Sequence, residues 1–183
     1  MLSDSRAGSE TGRWTIDART SVARFTMSYL VVATLKGSLG AIEGELTIDE
    51  ERPDRSVVSA FISVSTMNTG NRLRDAHLRS GDFFDVERFP RITFQSARVD
   101  KVHDRRFRVV GDLTIRDITK EVELDAAHDE SIDELGQRHA RFTATTTLSR
   151  KEFGVGQRTP IETAGLIASD RVSVTLDIRA TAA

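Results

Sequence analysis

The stretch FRVVGDLTI, residues 107–115, places an apolar or small residue at every second position, with mostly polar residues between them. This spacing is typical of a β-strand that buries one face. The alternation recurs in seven further segments, whose apolar-face residues are Ala23, Phe25, Met27 and Tyr29; Ile42, Gly44, Leu46 and Ile48; Val58, Ala60, Ile62 and Val64; Ile92, Phe94 and Ser96; Val122, Leu124 and Ala126; Phe142, Ala144, Thr146 and Leu148; and Val172, Val174, Leu176 and Ile178.

With a shorter segment at residues 34–39, the pattern predicts about eight or nine strands. Turn-forming sequences separate several of them: ERPDRS at 51–56, VHDRR at 102–106 and DELGQ at 133–137. The spacing indicates an all-β fold, either an antiparallel barrel or a sandwich. One short helix is predicted at residues 71–79, with Leu73, Ala76, His77 and Leu78 on a shared face and Asn68 or Thr69 as its cap.

Several apolar-face positions carry small side chains, which are Gly44, Ala60, Ser96, Gly111, Ala126, Ala144 and Thr146. A barrel of about eight strands is either filled by its own side chains or holds one small ligand. In a barrel that holds a ligand, small residues leave room for it. In a barrel filled by its own side chains, small residues fit tight corners or face bulky neighbours. The pattern alone leaves both interpretations open.

The amino-acid composition argues against several classes of function. Lys and Arg number 26 against 28 Asp and Glu, a formal net charge of -2, so no overall basic field favours nucleic acid or an anionic bilayer. The absence of cysteine excludes disulfides, thiolate metal sites and a cysteine nucleophile. The length of 183 residues fits one domain, expected over residues 13–183 after a disordered tail at 1–12.

No apolar segment is long enough to span a bilayer, because the longest mostly apolar run is YLVVATL, residues 29–35. The polar N-terminus also lacks the apolar core of a secretory signal. A cytoplasmic location is therefore expected.

The segment NTGNRLRDAHLRSGDFFDVERFPRITF, residues 68–94, departs from the strand pattern. Arg74, Asp75 and His77 are candidates for an acid–base cluster, but no nucleophile motif accompanies them, and a structural loop held by Asp75 and His77 is favoured. Phe83 and Phe84 are predicted to plug or gate one end of the barrel, or simply to cap its core. Arg72, Arg74 and Arg79 either attract an anionic head group at the mouth or form a solvated face.

The remaining histidines, the FGVG segment and Trp14 give weaker evidence for a functional site. His103, His128 and His139 lack metal-binding spacing, and the first two are interpreted as turn and strand-edge residues. FGVG at 153–156 is too short for a phosphate-binding loop and is predicted to be a turn. Trp14 either stacks on a ligand or, as is more common, anchors the core.

Four motifs resemble the YceI-like family of lipocalin-like polyisoprenoid-binding proteins. WTIDARTSVARF at 14–25 is similar to W-x-I-D-x-x-H-S-x-x-x-F, and TMNTG with RDAHLRSGDFFDVERFPRITFQS, within residues 66–96, matches the central family motif almost position for position. GDLTIRDITKEVEL at 111–124 and LSRKEFGVG at 148–156 resemble two later motifs. The resemblance covers nearly the whole chain, from Trp14 to about Ala180.

The resemblance implies an elongated antiparallel barrel of about eight strands, closed at one end by the short helix and loop, with an apolar bore for a polyisoprenoid or isoprenoid quinone. Thr20 and Tyr29 stand where the family often has histidine, and Asp117 replaces a glycine. Loss of two imidazoles predicts weak pH dependence of binding between about pH 5.5 and 7.5. Recognition of the apolar chain alone is favoured over charge recognition at the mouth.

Non-enzymatic binding, storage or transport of such a lipid is the predicted function, and an isomerase or hydrolase for a hydrophobic substrate is the alternative. Binding is favoured because the alternation places Glu43, Glu45, Glu121, Glu123 and Asp125 outside the bore. No cofactor or metal is expected, and the interpretation allows a homodimer. Arg72 and Arg74 are the candidate head-group contacts. The predicted ligand-binding residues are Phe25, Met27, Tyr29, Leu46, Ala60, Ile62, Val64, Phe83, Phe84, Phe94, Val109, Gly111, Leu113, Leu124, Phe142, Ala144, Leu148 and Leu176.

Overall fold

The computed structural model describes residues 11–29, 33–49, 51–156 and 168–183. The predicted tail therefore lies almost wholly outside the described residues. The strands are β1 (Gly12–Ile16), β2 (Val22–Tyr29), β3 (Ala33–Ile48), β4 (Val57–Ser63), β5 (Arg91–His103), β6 (Arg106–Ile115), β7 (Ile118–Ile132), β8 (Arg138–Ser149) and β9 (Ala168–Ala182). Helix α1 spans Arg72–Arg79, and 3-10 turns lie at Pro53–Arg55, Val64–Thr66 and Lys151–Phe153.

The strands form one antiparallel sheet that closes on itself, which confirms the predicted barrel. Its order is β3-β2-β9-β8-β7-β6-β5-β4, and β4 pairs back with β3. Strands β1 and β2 share one position between β3 and β9. Trp14 of β1 pairs with Leu46 and Ala182, whereas Phe25 of β2 pairs with Gly37 and Val174. The nine strands of the described residues therefore occupy eight positions of the ring.

Strand β3 is longer than the alternation predicts. The sequence suggested a short strand at 34–39 and a second one after it, but β3 runs unbroken to Ile48. Gly40 and Gly44 have φ angles of 147° and 149°, which side chains other than glycine rarely adopt. A Cβ at Gly40 would clash with the carbonyl oxygen of Ser63. The glycines thus let the β3 backbone pass close to β4 without ending the strand.

Helix α1 lies at the predicted position, but its cap and its buried face differ from those expected. The Asn71 side chain accepts a hydrogen bond of 3.0 Å from the Arg74 amide, so Asn71 is the N-cap instead of Asn68 or Thr69. Asp75 is the buried residue of the helix, while Leu73 is 85% exposed. Polar contacts of Asp75 therefore attach this short helix, and of the four residues of the predicted apolar face only Leu78 packs against the core.

The barrel has a hairpin end, where β5–β6 and β7–β8 turn, and a helix end, where α1 and the β6–β7 turn lie. A first apolar cluster around Trp14, which is 1% exposed, packs towards the hairpin end of β1, β3, β8 and β9. Trp14 thus anchors the core. A second cluster fills the helix end and consists of Val64, Met67, Ile92, Ile115, Phe153 and Val155.

Candidate functional site

An apolar cavity runs through the barrel. Empty space inside it, including the part that opens to solvent, is about 1240 Å³. Its wall consists of Leu39, Ile42, Leu46, Ile48, Ser56, Val58, Ala60, Phe61, Ile62, Ile92, Phe94, Val99, Phe107, Val109, Leu113, Ile115, Val122, Leu124, Ala126, Ala127, His128, Phe142, Ala144, Thr146, Leu148, Val174, Leu176 and Ile178. The small-residue pattern therefore accompanies a cavity and not a fully packed bore.

Four of the small residues form part of this wall: Ala60, Ala126, Ala144 and Thr146. Other small positions serve strand packing. Ser96 accepts a hydrogen bond of 2.8 Å from the Val58 amide. A Cβ at Gly111 would lie 2.7 Å from Cζ of Phe94 and would also clash with the Gln95 carbonyl oxygen. Gly111 thus makes room for the Phe94 ring, and a substitution there would test strand packing instead of the bore.

The wall includes eleven of the residues predicted to bind ligand, which are Leu46, Ala60, Ile62, Phe94, Val109, Leu113, Leu124, Phe142, Ala144, Leu148 and Leu176. Six others lie outside it, namely Phe25, Met27, Val64, Phe83, Phe84 and Gly111. The side chain of Tyr29 lies outside the described part of the chain.

Two of the six residues outside the wall show why an inward-facing side chain need not reach the cavity. Phe25 is buried against Gly37, where an added Cβ would come within 2.8 Å of ring atom Cε1. Val64 belongs to the second cluster, which closes the helix end. Strand alternation identifies the side of the sheet that a residue faces, but not whether neighbouring groups separate it from the cavity.

Phe83 and Phe84 add an outer layer to the helix end. Both are partly buried against the second cluster, and the Phe83 ring makes an edge contact with His77 at 5.0 Å between centroids. Arg116 holds this layer, because its Nη1 donates to the carbonyl oxygens of Phe83 and Gly154, each at 3.1 Å. Loops from three parts of the chain therefore meet at the closed helix end.

Arg150, in the LSRKEFGVG motif, links β8 to β9 at the same end. Its Nε donates to the Ser169 carbonyl oxygen at 3.1 Å and its Nη1 to that of Val155 at 3.1 Å. Burial alone would raise the pKa of the neighbouring Asp170. Hydrogen bonds from the Lys151 amide and the Ser149 hydroxyl, together with the charges of Arg150 and Lys151, outweigh it, so the pKa of Asp170 is lowered. The sequence alone suggested no role for Arg150, although this residue lies in a motif that resembles the family pattern.

Replacing Arg150 with lysine is expected to lower the free energy of unfolding by about 1–2 kcal/mol, because an ammonium group cannot reproduce the planar donor set of guanidinium. Urea denaturation measures this change. Arg171→Lys is the matched control, since Arg171 is exposed on β9, and it is expected to stay within about 0.5 kcal/mol of the unmodified protein. Equal stability of the two variants would contradict the role assigned to Arg150.

The polar residues on α1 do not converge on one point. The Asp75 carboxylate accepts hydrogen bonds from the amide and hydroxyl of Thr69, and Arg74 donates to the same threonine from Nε at 2.8 Å. His77 instead faces Asp82, with 3.5 Å between Nε2 and Oδ2. Arg72 and Arg74 are exposed and lie outside the cavity wall. This geometry suits attachment of the helix and does not bring Arg74, Asp75 and His77 together as an acid–base cluster.

The structure places His128 in the cavity wall, which corrects its interpretation as a strand-edge residue. Its ring stacks on Phe142 with 5.4 Å between centroids and lies 5.8 Å from Phe107. The alternation of β7 could have revealed this position, because His128 continues the spacing of Val122, Leu124 and Ala126. None of the five carboxylates expected to face outward lies in the wall.

Thr20, one of the two positions where the family often has histidine, does not supply a polar end to the cavity. Thr20 is exposed in the turn between β1 and β2, and its hydroxyl donates to Asp17 at 3.0 Å. That hydrogen bond, after one from the Arg19 amide, lowers the pKa of Asp17. The expectation of weak pH dependence rests on Thr20 and Tyr29 and stays a prediction.

Within the described residues, no three His, Asp or Glu side chains are grouped closely enough to hold a metal ion. No helix among them is both long and apolar enough to cross a membrane. His103 and His139 lie near the two hairpins at one end of the barrel. His103 accepts from the Asp104 amide, and His139 Nε2 lies 3.0 Å from Asp133 Oδ2.

Comparison with protein-family models matches residues 14–180 to the YceI-like domain. Among curated relatives, a UPF0312 protein of Staphylococcus aureus (strain USA300) is 33% identical over 164 residues, covering 84% of this chain and 88% of the relative. A UPF0312 protein of Pseudomonas putida (strain W619) is 32% identical over 130 residues, which cover 70% and 68% of the two chains.

Solved structures share the fold. Burkholderia cenocepacia BcnA superposes with a TM-score of 0.78 at 18% identity, covering 90% of this chain and 98% of that one. A polyisoprenoid binding domain from Saccharophagus degradans, implicated in plant cell wall breakdown, has a TM-score of 0.67 at 15% identity and covers 95% and 100% of the two chains.

Proposed function

This chain belongs to the YceI-like domain family, and from that premise we propose that its barrel binds a long apolar or amphipathic lipid as a carrier or store, without chemical conversion. A polyisoprenoid or an isoprenoid quinone is the proposed ligand class. The polyisoprenoid binding domain that shares the fold supports this class.

The apolar wall of the cavity is the observation that carries the proposal. Among its described residues, only Ser56, His128 and Thr146 have polar side chains. The Ser56 hydroxyl already accepts a hydrogen bond of 3.0 Å from the Asp49 amide. A charged or strongly hydrated substrate would lose its water in such a cavity without compensating contacts, whereas an apolar chain gains about 0.8 kcal/mol for each buried methylene.

The shape of the cavity fits a linear ligand. Along β6 the wall extends from Phe107 to Ile115, about 27 Å of extended strand at about 3.4 Å per residue. A chain of several isoprene units is therefore a better match than a compact metabolite.

Binding is favoured over catalysis by the polar groups that are present. The cluster on α1 is occupied with fixing the helix to Thr69. The three polar wall residues come from separate strands or turns, and no triad of nucleophile, base and orienting carboxylate is formed among the described wall residues. These features support a carrier over an isomerase or hydrolase.

Native mass spectrometry of freshly purified protein, followed by organic extraction, tests the proposal. We expect a bound mass that disappears on extraction and is identified as an isoprenoid chain, and delipidated protein should rebind an isoprenoid quinone in a one-to-one complex. Recovery of protein that neither carries an extractable lipid nor binds the quinone after delipidation would contradict the proposed function.

A further inference from the structure

The three polar side chains in the described part of the cavity wall are not equally available to a ligand. The Ser56 hydroxyl accepts a hydrogen bond of 3.0 Å from the Asp49 amide. In His128 the Nδ1 atom is buried, and Nε2 faces Glu130 Oε1 at 3.5 Å. Both of these residues are therefore engaged with the protein itself, and Thr146 is the third.

The Thr146 hydroxyl faces the cavity without a partner in the protein. Strand alternation points this side chain into the barrel, where it lies in the wall beside its β9 partner Val174. Its hydroxyl forms no hydrogen bond with the described residues, whose buried side-chain atoms without a hydrogen bond belong to Arg79, Arg116 and His128. Thr146 Oγ1 therefore keeps accessible surface, and that surface belongs to the cavity.

Thr146 lies near the closed end of the bore. On β8 the wall runs from Phe142 through Ala144 and Thr146 to Leu148, which packs against the second cluster. About 14 Å of strand separates Thr146 from Phe142, at about 3.4 Å per residue, and about 7 Å separates it from Leu148. His128 pairs with Phe142 and so lies towards the hairpin end. The deep half of the bore thus holds one hydroxyl in an otherwise carbon-lined wall.

We propose that Thr146 forms the hydrogen bond that recognises the oxygen-bearing end of the lipid, which is a neutral hydroxyl or carbonyl held deep in the bore. The inference rests on the proposed function, since it concerns the ligand of the same cavity. A threonine hydroxyl donates to a carbonyl, and it donates to or accepts from another hydroxyl. A hydrocarbon end would instead cover the Thr146 hydroxyl without giving it a hydrogen bond.

The surroundings of Thr146 select a neutral group. No lysine or arginine lies among the described residues of the wall, and Arg72 and Arg74 are exposed outside it. A phosphate beside Thr146 would lose its water and gain one hydrogen bond from a neutral hydroxyl in return. With the head group at Thr146, the apolar tail extends towards the hairpin end.

Replacing Thr146 with valine tests the hydrogen bond, because valine keeps the branched shape of threonine and lacks the hydroxyl. Phytanol and phytane are the probes, since they share one isoprenoid chain and differ by a single hydroxyl group. Affinities are measured by titration of delipidated protein. We expect the ratio of phytanol to phytane affinity to fall about three- to tenfold in Thr146→Val, while phytane binding is retained.

Thr146→Ser and Thr147→Val are the matched controls. Serine keeps the hydroxyl and should keep most of the ratio, whereas Thr147 is exposed outside the wall on the same strand and should leave the ratio unchanged. A fall in Thr146→Ser as large as that in Thr146→Val would assign the effect to side-chain packing and overturn the inference. Urea denaturation verifies that each variant is folded.

The charge and the orientation of the ligand are tested separately. Phytanyl phosphate should bind the unmodified protein more weakly than phytanol, and tighter binding would overturn the assignment of a neutral head group. A photoreactive diazirine next to the phytanol hydroxyl should cross-link within residues 144–148 or 172–176. Cross-linking confined to residues 99–107 and 126–132, towards the hairpin end, would overturn the orientation.

Failure of this inference is distinguishable from failure of the proposed function. An unchanged affinity ratio in folded Thr146→Val would overturn the role of Thr146, and the proposed function would stand. If neither phytanol nor phytane binds the unmodified protein, the proposed function fails together with this inference.

Discussion

Replacing Ala144 with phenylalanine is expected to weaken binding of an isoprenoid quinone at least about 100-fold. Ala144 is 5% exposed, lies in the cavity wall and pairs with Ala126 and Leu176 on the neighbouring strands. A phenyl ring there occupies the bore and displaces several methylenes of the ligand, each of which contributes about 0.8 kcal/mol. Titration of delipidated protein measures the loss.

Thr145→Phe is the matched control, because Thr145 is exposed on the outer face of the same strand. It adds the same ring without entering the cavity and should bind the quinone normally. Overpacking at Ala144 costs about 1–3 kcal/mol in addition, so the stability of both variants is measured by urea denaturation. Normal binding by folded Ala144→Phe would place the ligand outside the bore.

Asp75→Ala is expected to lower the free energy of unfolding by about 3 kcal/mol, the largest effect on stability among these variants. Its carboxylate is 6% exposed and accepts hydrogen bonds from both the amide and the hydroxyl of Thr69. Alanine leaves those donors without their acceptor beneath α1, and a buried unsatisfied polar group costs about 1–3 kcal/mol. Urea denaturation of the variant and the unmodified protein gives the difference.

Asp75→Asn keeps one acceptor oxygen in nearly the same shape and should lose less stability than Asp75→Ala. Quinone affinity, measured on the folded fraction, should be nearly unchanged in both, because Asp75 lies outside the cavity wall. A large loss of affinity with normal stability would assign Asp75 to the ligand site and contradict its structural role.

Local sequence carries much of the information about this fold because side-chain direction in a strand has a period of two. The spacing of Leu124 and Ala126 on β7, and of Phe142 and Ala144 on β8, correctly identified residues that line the cavity. The YceI-like motifs correctly predicted the barrel, and the helical spacing within residues 71–79 correctly predicted the position of the short helix. Where backbone conformation departed from the regular pattern, as at Gly40 in β3, the prediction of strand ends failed.

The sequence by itself therefore determined the closed antiparallel sheet, its apolar inner face and most of the residues on that face. Tertiary structure alone decided which inward residues reach the cavity. Phe25 packs against Gly37, the Phe94 ring covers Gly111, and the second cluster closes the helix end. It also decided that His128, beside Glu130, is the one titratable side chain among the described wall residues. These outcomes depend on contacts between residues far apart in the chain, and the spacing within one strand does not encode them.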